Sequence, residues 1–150
     1  MIKKLDMHCE ETVKEVLALQ TISYQIEAEI INNYEIPPLK DNIKTLMNCD
    51  EKFYGYLIGD AIAGIMSYKI IEKVLDIHRL AIHPEYFRRG IAGKLIEFSE
   101  TIDESVEKVV VCTGKKNKPA VNLYLLSGFV MIEDISVKEG LVLTRFEKKL

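Results

Sequence analysis

The sequence is short of the residues that mark specialised classes of protein. It has three cysteines, four prolines and eight glycines in 150 residues. The cysteines lie far apart and form no Cys-x-x-Cys pair, which excludes a disulfide-stapled domain and predicts reduced, partly buried thiols. Glycine and proline are too few for a collagen or a low-complexity linker. The longest apolar run covers only residues 61–66, too short to cross a membrane.

An excess of charge of one sign is also missing. Twenty basic and 23 acidic side chains give a net charge of −3, which provides no overall attraction to nucleic acid or to an anionic membrane. The histidines, His8, His78 and His83, lack the paired spacing of zinc ligands, so we expect no metal. Residues 1–6 are charged where a signal peptide needs an apolar core, which predicts a cytoplasmic protein.

What remains is typical of one globular domain over residues 1–150. Hydrophobic residues make up 48% of the chain and charged residues 29%, and this length suffices to bury a core. A short strand is expected at 2–5. Apolar residues spaced by three and four predict helices over 10–31 and 40–47, and the two prolines that end the segment 34–38 stop the first helix.

The rest of the chain has the pattern of a sheet interrupted by two helices. Alternating and β-branched residues predict strands, and spacings of three and four predict helices. The expected elements are strands at 52–58, 61–71 and 74–82, a helix at 90–103, a strand at 108–113, a helix from Ala120 to Gly128, and a hairpin of 129–137 and 141–147 across residues 138–140. This order indicates a mixed α/β fold with a strand–helix–strand unit at its centre.

The segment 80–95 joins a predicted strand to a predicted helix. Its loop carries Arg88 and Arg89, followed by the small residues Gly90, Ala92 and Gly93. Free amides and the positive dipole at a helix start attract anions, and small side chains let a phosphate approach the backbone. A tight turn with two solvated arginines is the alternative.

Two well-known phosphate loops do not fit this segment. Gly93-Lys94 is followed by Leu95, where a P-loop requires Ser or Thr. A dinucleotide fingerprint follows the first strand, whereas this loop lies in mid-chain. A protein that binds ATP or a dinucleotide here is therefore the less favoured alternative.

A second motif follows the strand at 108–113. Asn117, Ala120, Tyr124 and Gly128-Phe129, together with Gly90-Ile91-Ala92 upstream, resemble the GNAT superfamily of acetyl-CoA-dependent N-acyltransferases. The upstream match is to the family's pyrophosphate loop, Q/R-x-x-G-x-G/A. The motif residues lie between about 74 and 129, and the order of elements fits the family over nearly the whole chain.

The resemblance implies a fold and an activity. The fold is a central mixed, mostly antiparallel sheet flanked by about four helices. The activity is transfer of the acetyl group of acetyl-CoA to a primary amine by direct, sequential attack. The acceptor is a small molecule or a peptide, and the protein is a monomer or homodimer. Phe87 departs from the usual Gln or Arg, and Arg88 or Arg89 would supply the missing charge.

The resemblance also implies roles for particular residues. Tyr124 gives its proton to the leaving thiolate, although a purely core aromatic is the alternative, and Asn117 caps its helix and touches the coenzyme. The Leu80 amide faces the thioester oxygen. The pantetheine arm pairs with Leu80, Ala81 and Ile82, and the pyrophosphate is held by Arg88, Arg89, Gly90, Ile91, Ala92 and Gly93.

The general base is expected on the strand 74–82. Asp76 lies where some family members carry a catalytic glutamate, and His78 titrates near neutrality. Alternation predicts that Asp76, His78, Leu80 and Ile82 share one face; a merely solvated face is the alternative. Cys112 occupies a position where other relatives carry a glutamate, and it has no evident base for a nucleophilic role.

The acceptor is expected beside the N-terminal helices. Acidic and aromatic residues there suit a cationic amine, although a solvated helix face is the alternative. These residues are Tyr24, Glu27, Glu29, Tyr34 and Glu35. Lys115, Lys116 and Lys118 either reach the 3′-phosphate of the coenzyme or only solubilise their loop. A catalytically inactive acyl-CoA-binding regulatory module remains the rival function.

Overall fold

The computed structural model describes residues 1–138 and 140–150, which form one seven-stranded sheet and four α-helices. The strands are β1 Ile2–Lys4, β2 Lys52–Ile58, β3 Ala61–Ile71, β4 Val74–Ile82, β5 Lys108–Gly114, β6 Val130–Lys138 and β7 Leu141–Lys149. The helices are α1 Glu10–Ile31, α2 Ile43–Asn48, α3 Ile91–Ser99 and α4 Lys118–Leu126, with 3₁₀ turns at Pro37–Lys40 and Pro84–Tyr86. The predicted mixed α/β order is confirmed.

The helices cover both faces of the sheet. Consecutive residues of β3 point to opposite faces: Ile65 packs in a core with α1 and α2, and Met66 packs in a core with α3 and α4. The valines Val109–Val111 are buried on both sides, as their unbroken apolar run predicts. None of the described helices is long and apolar enough to cross a membrane.

Several local predictions need correction. The prolines at 37 and 38 begin a 3₁₀ turn, and α2 starts only at Ile43 because Asn42 and Thr45 form a capping box. Helix α3 ends at Ser99 rather than at residue 103, since amides 100 and 101 bond three residues back and tighten the last turn. In the hairpin turn 138–140, Glu139 lies outside the described residues.

The prediction of partly buried cysteines holds for Cys49 and is wrong for Cys9 and Cys112. Cys9, Cys49 and Cys112 are free thiols. Cys49 is half-buried, whereas Cys9 and Cys112 are exposed. Cys112 lies within a strand, and its exposure is due to the cavity described below.

The sheet opens at its centre. Parallel strands β4 and β5 pair only over residues 74–77 and 108–111, although β4 continues to Ile82 and β5 to Gly114. Beyond this pairing β4 stays bonded to β3, and β5 stays bonded to β7. The ends of the two central strands therefore diverge and leave backbone groups facing a cleft.

A β-bulge in β4 changes which side chains face this cleft. Arg79 pairs with Ser67 and Ile77 pairs with Tyr68, so His78 is the extra residue. Leu80 and Ile82 consequently pack in the same core as Ile77. The prediction that Asp76, His78, Leu80 and Ile82 share one face is wrong, because a bulge interrupts the two-residue alternation.

Candidate active site

The divergence of β4 and β5 opens a cavity of about 980 Å³. Its walls come from α1, β4, the loop before α3, β5 and the start of α4. The volume is at the upper end of the range for small-molecule and cofactor sites. Residues of both sequence motifs thus line the cavity, which opens where strands β4 and β5 no longer pair.

The loop before α3 lines this cavity and carries a row of unpaired backbone amides. Gly90 caps the helix in a left-handed conformation, with φ of 74°, and the Lys94 amide makes the first helical hydrogen bond, to the Gly90 carbonyl at 3.1 Å. The amides of residues 88–93 have no acceptor among the described residues. A Cβ atom at Gly93 would meet open space. This geometry suits a bound anion.

The side chains of the loop differ in where they lie. Phe87 and Arg88 line the cavity, and Arg88 has a left-handed φ of 65°. The Arg89 guanidinium lies 5.2 Å from the centre of the Tyr86 ring and does not line the cavity. Arg88 is therefore the loop arginine better placed to meet a ligand.

Strand β4 contributes one amide that is bonded to a side chain rather than to a strand, and an apolar wall. The Leu80 amide points away from β3 and donates to the Tyr24 hydroxyl oxygen at 3.2 Å. Leu80 and Ile82 line the cavity, whereas Ala81 is buried in the core on the α1 side. An oxygen atom thus already lies against the Leu80 amide.

Tyr124 is anchored in the core with its edge at the cavity. Its ring lies 5.7 Å from the Phe129 ring and 5.5 Å from the Phe146 ring, and the residue is 5% exposed. Burial raises the pKa of Tyr124, and the nearby Tyr24 and Glu27 raise it further. The phenol therefore keeps its proton at neutral pH.

Asn117 joins α4 to α1. Its side-chain oxygen accepts from the Ala120 amide at 3.3 Å, which caps α4, and its Nδ2 donates to Glu27 Oε1 at 2.9 Å. Thr113 donates to the same oxygen at 3.4 Å. Burial raises the pKa of Glu27, although these two hydrogen bonds counteract the shift.

Asp76 and His78 lie at the cavity within a charged cluster. His78 Nε2 is 3.5 Å from Asp76, and its Nδ1 is 3.6 Å from Glu51. Burial raises the pKa of Asp76, and electrostatic interaction with His78 and Arg145 counteracts this shift. The Asp76 side chain is 51% exposed.

A buried ion pair at this end of the cavity was not predicted from the sequence. Arg79 donates to Glu51 Oε1 at 2.9 Å, to Gln20 at 3.0 Å and to Asp41. The network ties α1, the start of α2, the start of β2 and β4 together. The sequence shows only a single arginine within a mostly apolar strand. The spacing of residues does not identify the partners of this arginine.

Several predicted residues lie elsewhere. Glu29 and Tyr34 line a separate, shallower pocket, and Glu35 pairs with Lys40 at 2.9 Å. Lys115 pairs with Asp134 at 2.7 Å, and like Lys116 and Lys118 it does not line the main cavity. No group of three or more potential metal ligands occurs among the described residues. Of the predicted acceptor residues, Tyr24 and Glu27 reach the cavity.

Solved structures of acetyltransferases share this fold. The PaiA N-acetyltransferase of Thermoplasma acidophilum, in complex with coenzyme A, has a TM-score of 0.77 and 19% identity over 100% of this chain and 98% of that one. An acetyltransferase from Thermus thermophilus has a TM-score of 0.79 and 16% identity over 100% and 97%. The fold is therefore one that acetyltransferases use.

Sequence comparisons assign the chain to a family. Residues 13–129 match the model of the acetyltransferase (GNAT) family. The chain is 38% identical over 140 residues to the UPF0157 protein YqkA of Bacillus subtilis (strain 168), a match that covers 93% of this chain and 41% of that protein. It thus spans about two fifths of the length of this relative. The chain belongs to the acetyltransferase (GNAT) family, which confirms the resemblance seen in the sequence.

Proposed function

We propose that this chain transfers the acetyl group of acetyl-CoA to a primary amine by direct attack, without an acyl-enzyme. The observation that carries the proposal is the row of unpaired amides at 88–93. It opens on the same cavity as the Leu80 amide and Tyr124. A pyrophosphate needs such donors, and a thioester needs an oxyanion donor and an acid for the leaving thiolate.

The residues then have distinct tasks. Amides 88–93 and the Arg88 side chain hold the pyrophosphate. The pantetheine arm lies in the cleft between the diverging ends of β4 and β5. The thioester oxygen binds the Leu80 amide in place of the Tyr24 hydroxyl. Tyr124 protonates the thiolate: burial keeps the phenol protonated, and the same desolvation makes a thiolate formed beside it a stronger base.

The acceptor in this proposal is a cationic amine. Glu27, Asp41, Glu51 and Asp76 line the cavity, and Arg79 balances part of their charge through Asp41 and Glu51. The remaining negative charge favours an ammonium group. Tyr24 and Glu27 would contact it, and Asp76 or His78 are the bases that the sequence suggests.

Thermal unfolding with separate additions of acetyl-CoA, free CoA, ATP and NAD tests the proposal. A ligand at one hundred times its dissociation constant stabilises by ~2.7 kcal/mol, which raises the melting temperature by several degrees. We expect a shift with both coenzyme forms alone. A shift only with ATP or NAD, or with none, would contradict the proposal. Coenzyme binding without turnover of any amine would favour the inactive regulatory module.

A further inference from the structure

The Glu27 carboxylate is held by one oxygen and free at the other. Both of its hydrogen bonds, from Asn117 and Thr113, go to Oε1. Oε2 has no partner among the described residues. No fully buried side-chain oxygen in that part of the chain lacks a hydrogen bond, so Oε2 reaches the open cavity. The two hydrogen bonds to Oε1 thus orient the carboxylate, and Oε2 is the acceptor oxygen that it presents to a ligand.

The other carboxylates of the cavity are more strongly engaged. Asp41 and Glu51 pair with Arg79, and Asp76 lies beside His78 with half of its side chain in solvent. Glu27 forms no ion pair with any described residue. An unpaired, largely buried carboxylate gains most from taking up a proton, because protonation removes the cost of desolvating its charge.

Among the carboxylates of the cavity, Glu27 has the largest electrostatic effect on the two tyrosines around the proposed thioester position. Its charge raises the pKa of Tyr24, whose hydroxyl touches the Leu80 amide, and also that of Tyr124. Glu51 raises the pKa of Tyr24 to a smaller extent. Glu27 is therefore the carboxylate that acts on both the carbonyl side and the leaving-group side of the proposed reaction.

We propose that Glu27, rather than Asp76 or His78, takes the proton from the acceptor's ammonium group through Oε2. This assignment rests on the proposed function. Oε2 removes one proton from R–NH₃⁺, and the resulting R–NH₂ attacks the thioester carbonyl carbon. As the C–S bond breaks, sulfur takes the Tyr124 proton and Tyr124 takes the second proton from nitrogen. The products are the acetylated amine, CoA and the proton that Glu27 releases to solvent.

Glu27 and Asp76 are the two cavity carboxyls whose pKa values burial raises, and the groups around Glu27 do not titrate in the acidic to neutral range. Tyr24 on α1, Tyr124 on α4 and Cys112 on β5 all have pKa values raised by burial, so they stay neutral there. On β4, Arg79 is fixed by its pairs with Asp41 and Glu51. A pH profile of turnover should therefore respond to Glu27.

Two amines of different basicity test the assignment. Ethylamine is protonated at pH 7, whereas 2,2,2-trifluoroethylamine is largely neutral because fluorine withdraws electrons. With acetyl-CoA as donor, we expect Glu27→Gln to lower kcat/KM for ethylamine by about 100-fold and for trifluoroethylamine by much less. The loss for ethylamine should shrink as the pH rises toward the pKa of the amine. Glu15→Gln, an exposed site on the same helix, is the matched control and should change neither rate.

The outcomes separate the two proposals. An equal loss with both amines, confined to KM, would make Glu27 a binding residue and overturn its proton-acceptor role. Unchanged rates for the variant would overturn it as well. A wild-type protein that binds acetyl-CoA and acetylates neither amine would refute the proposed function, and the Glu27 assignment with it. Melting curves of both variants exclude unfolding as the cause of a loss.

Discussion

A buried phenol holds its proton more tightly than a solvated one, because the phenolate loses its hydration. Tyr124 is such a phenol, with its ring fixed by Phe129 and Phe146 and its edge at the cavity. The same burial keeps Tyr124 protonated and also raises the basicity of a thiolate formed beside it, so that proton transfer between the two remains feasible. The structural and the chemical interpretations of this residue are compatible.

Replacing Tyr124 with Phe removes the proton and little of the packing. We expect kcat to fall by about 100-fold or more, while the dissociation constant for acetyl-CoA changes by less than about threefold, since the ring contacts remain. Steady-state kinetics and calorimetric titration with CoA measure the two. Equal losses in both would assign Tyr124 a structural role only.

Glu27 makes a prediction about stability. The pKa of Glu27 is raised in the folded state, so the unfolded chain loses this proton at a lower pH, near ~4.3. The stability that protonated Glu27 contributes is therefore lost as the pH rises from that value through the pKa of the folded state. Glu27→Gln cannot ionise, and its free energy of unfolding should increase relative to wild type across this window.

Urea unfolding of the wild type and of Glu27→Gln between pH 4 and pH 8 measures this difference. Glu15→Gln serves as the control, since it removes an exposed carboxylate from the same helix. A constant difference for Glu27→Gln would mean that the carboxylate is as well stabilised in the protein as in water.

At the scale of elements, two turns contain a basic residue in the left-handed conformation. Arg88 precedes α3 with φ of 65°, and Lys73 lies in the turn between β3 and β4 with φ of 68°. Both side chains are exposed. Glycine adopts this conformation without the strain that a side chain brings. The two sites therefore form a matched pair, and Arg88 is the one at the cavity.

We expect Arg88→Gly and Lys73→Gly each to raise the free energy of unfolding, by about 1 kcal/mol. Arg88→Gly should also weaken CoA binding by about tenfold, since one charge-assisted contact to phosphate is lost, whereas Lys73→Gly should leave it unchanged. Urea unfolding and calorimetric titration measure these effects. Equal affinities for the two variants would show that the backbone amides alone hold the phosphate.

At the scale of the whole molecule, the sheet is continuous, but few residues pair between its two central strands. Strand order β1-β2-β3-β4-β5-β7-β6 runs through the entire sheet. The two halves are joined by the short parallel pairing of residues 74–77 with 108–111. A ligand lying between the free ends of β4 and β5 would add contacts across this junction.

Hydrogen exchange followed by mass spectrometry should detect that effect. We expect saturating CoA to slow exchange in peptides covering residues 78–94 and 111–118, which face the cavity. Peptides of the exposed strand β6 should exchange at unchanged rates, because β6 lies at the far edge of the sheet. Uniform protection of all strands would instead indicate general stabilisation without a site between β4 and β5.

The sequence by itself determined the order of elements and the loop before α3. These features depend on local signals: spacing of apolar residues, small residues at the start of a helix, and Asn117 as the cap of α4. Such signals act within a few residues, so the spacing of residue types along the chain is enough to recognise them.

Only the tertiary structure decided the electrostatics of the cavity. The bulge at His78 reverses the expected face of Leu80, and it depends on pairing with β3. Arg79 meets Asp41 across 38 residues, and Asn117 meets Glu27 across 90. Contacts over such separations follow from how whole elements pack. Sequence spacing could therefore name Glu27 as a candidate but could not show which of its oxygens is free.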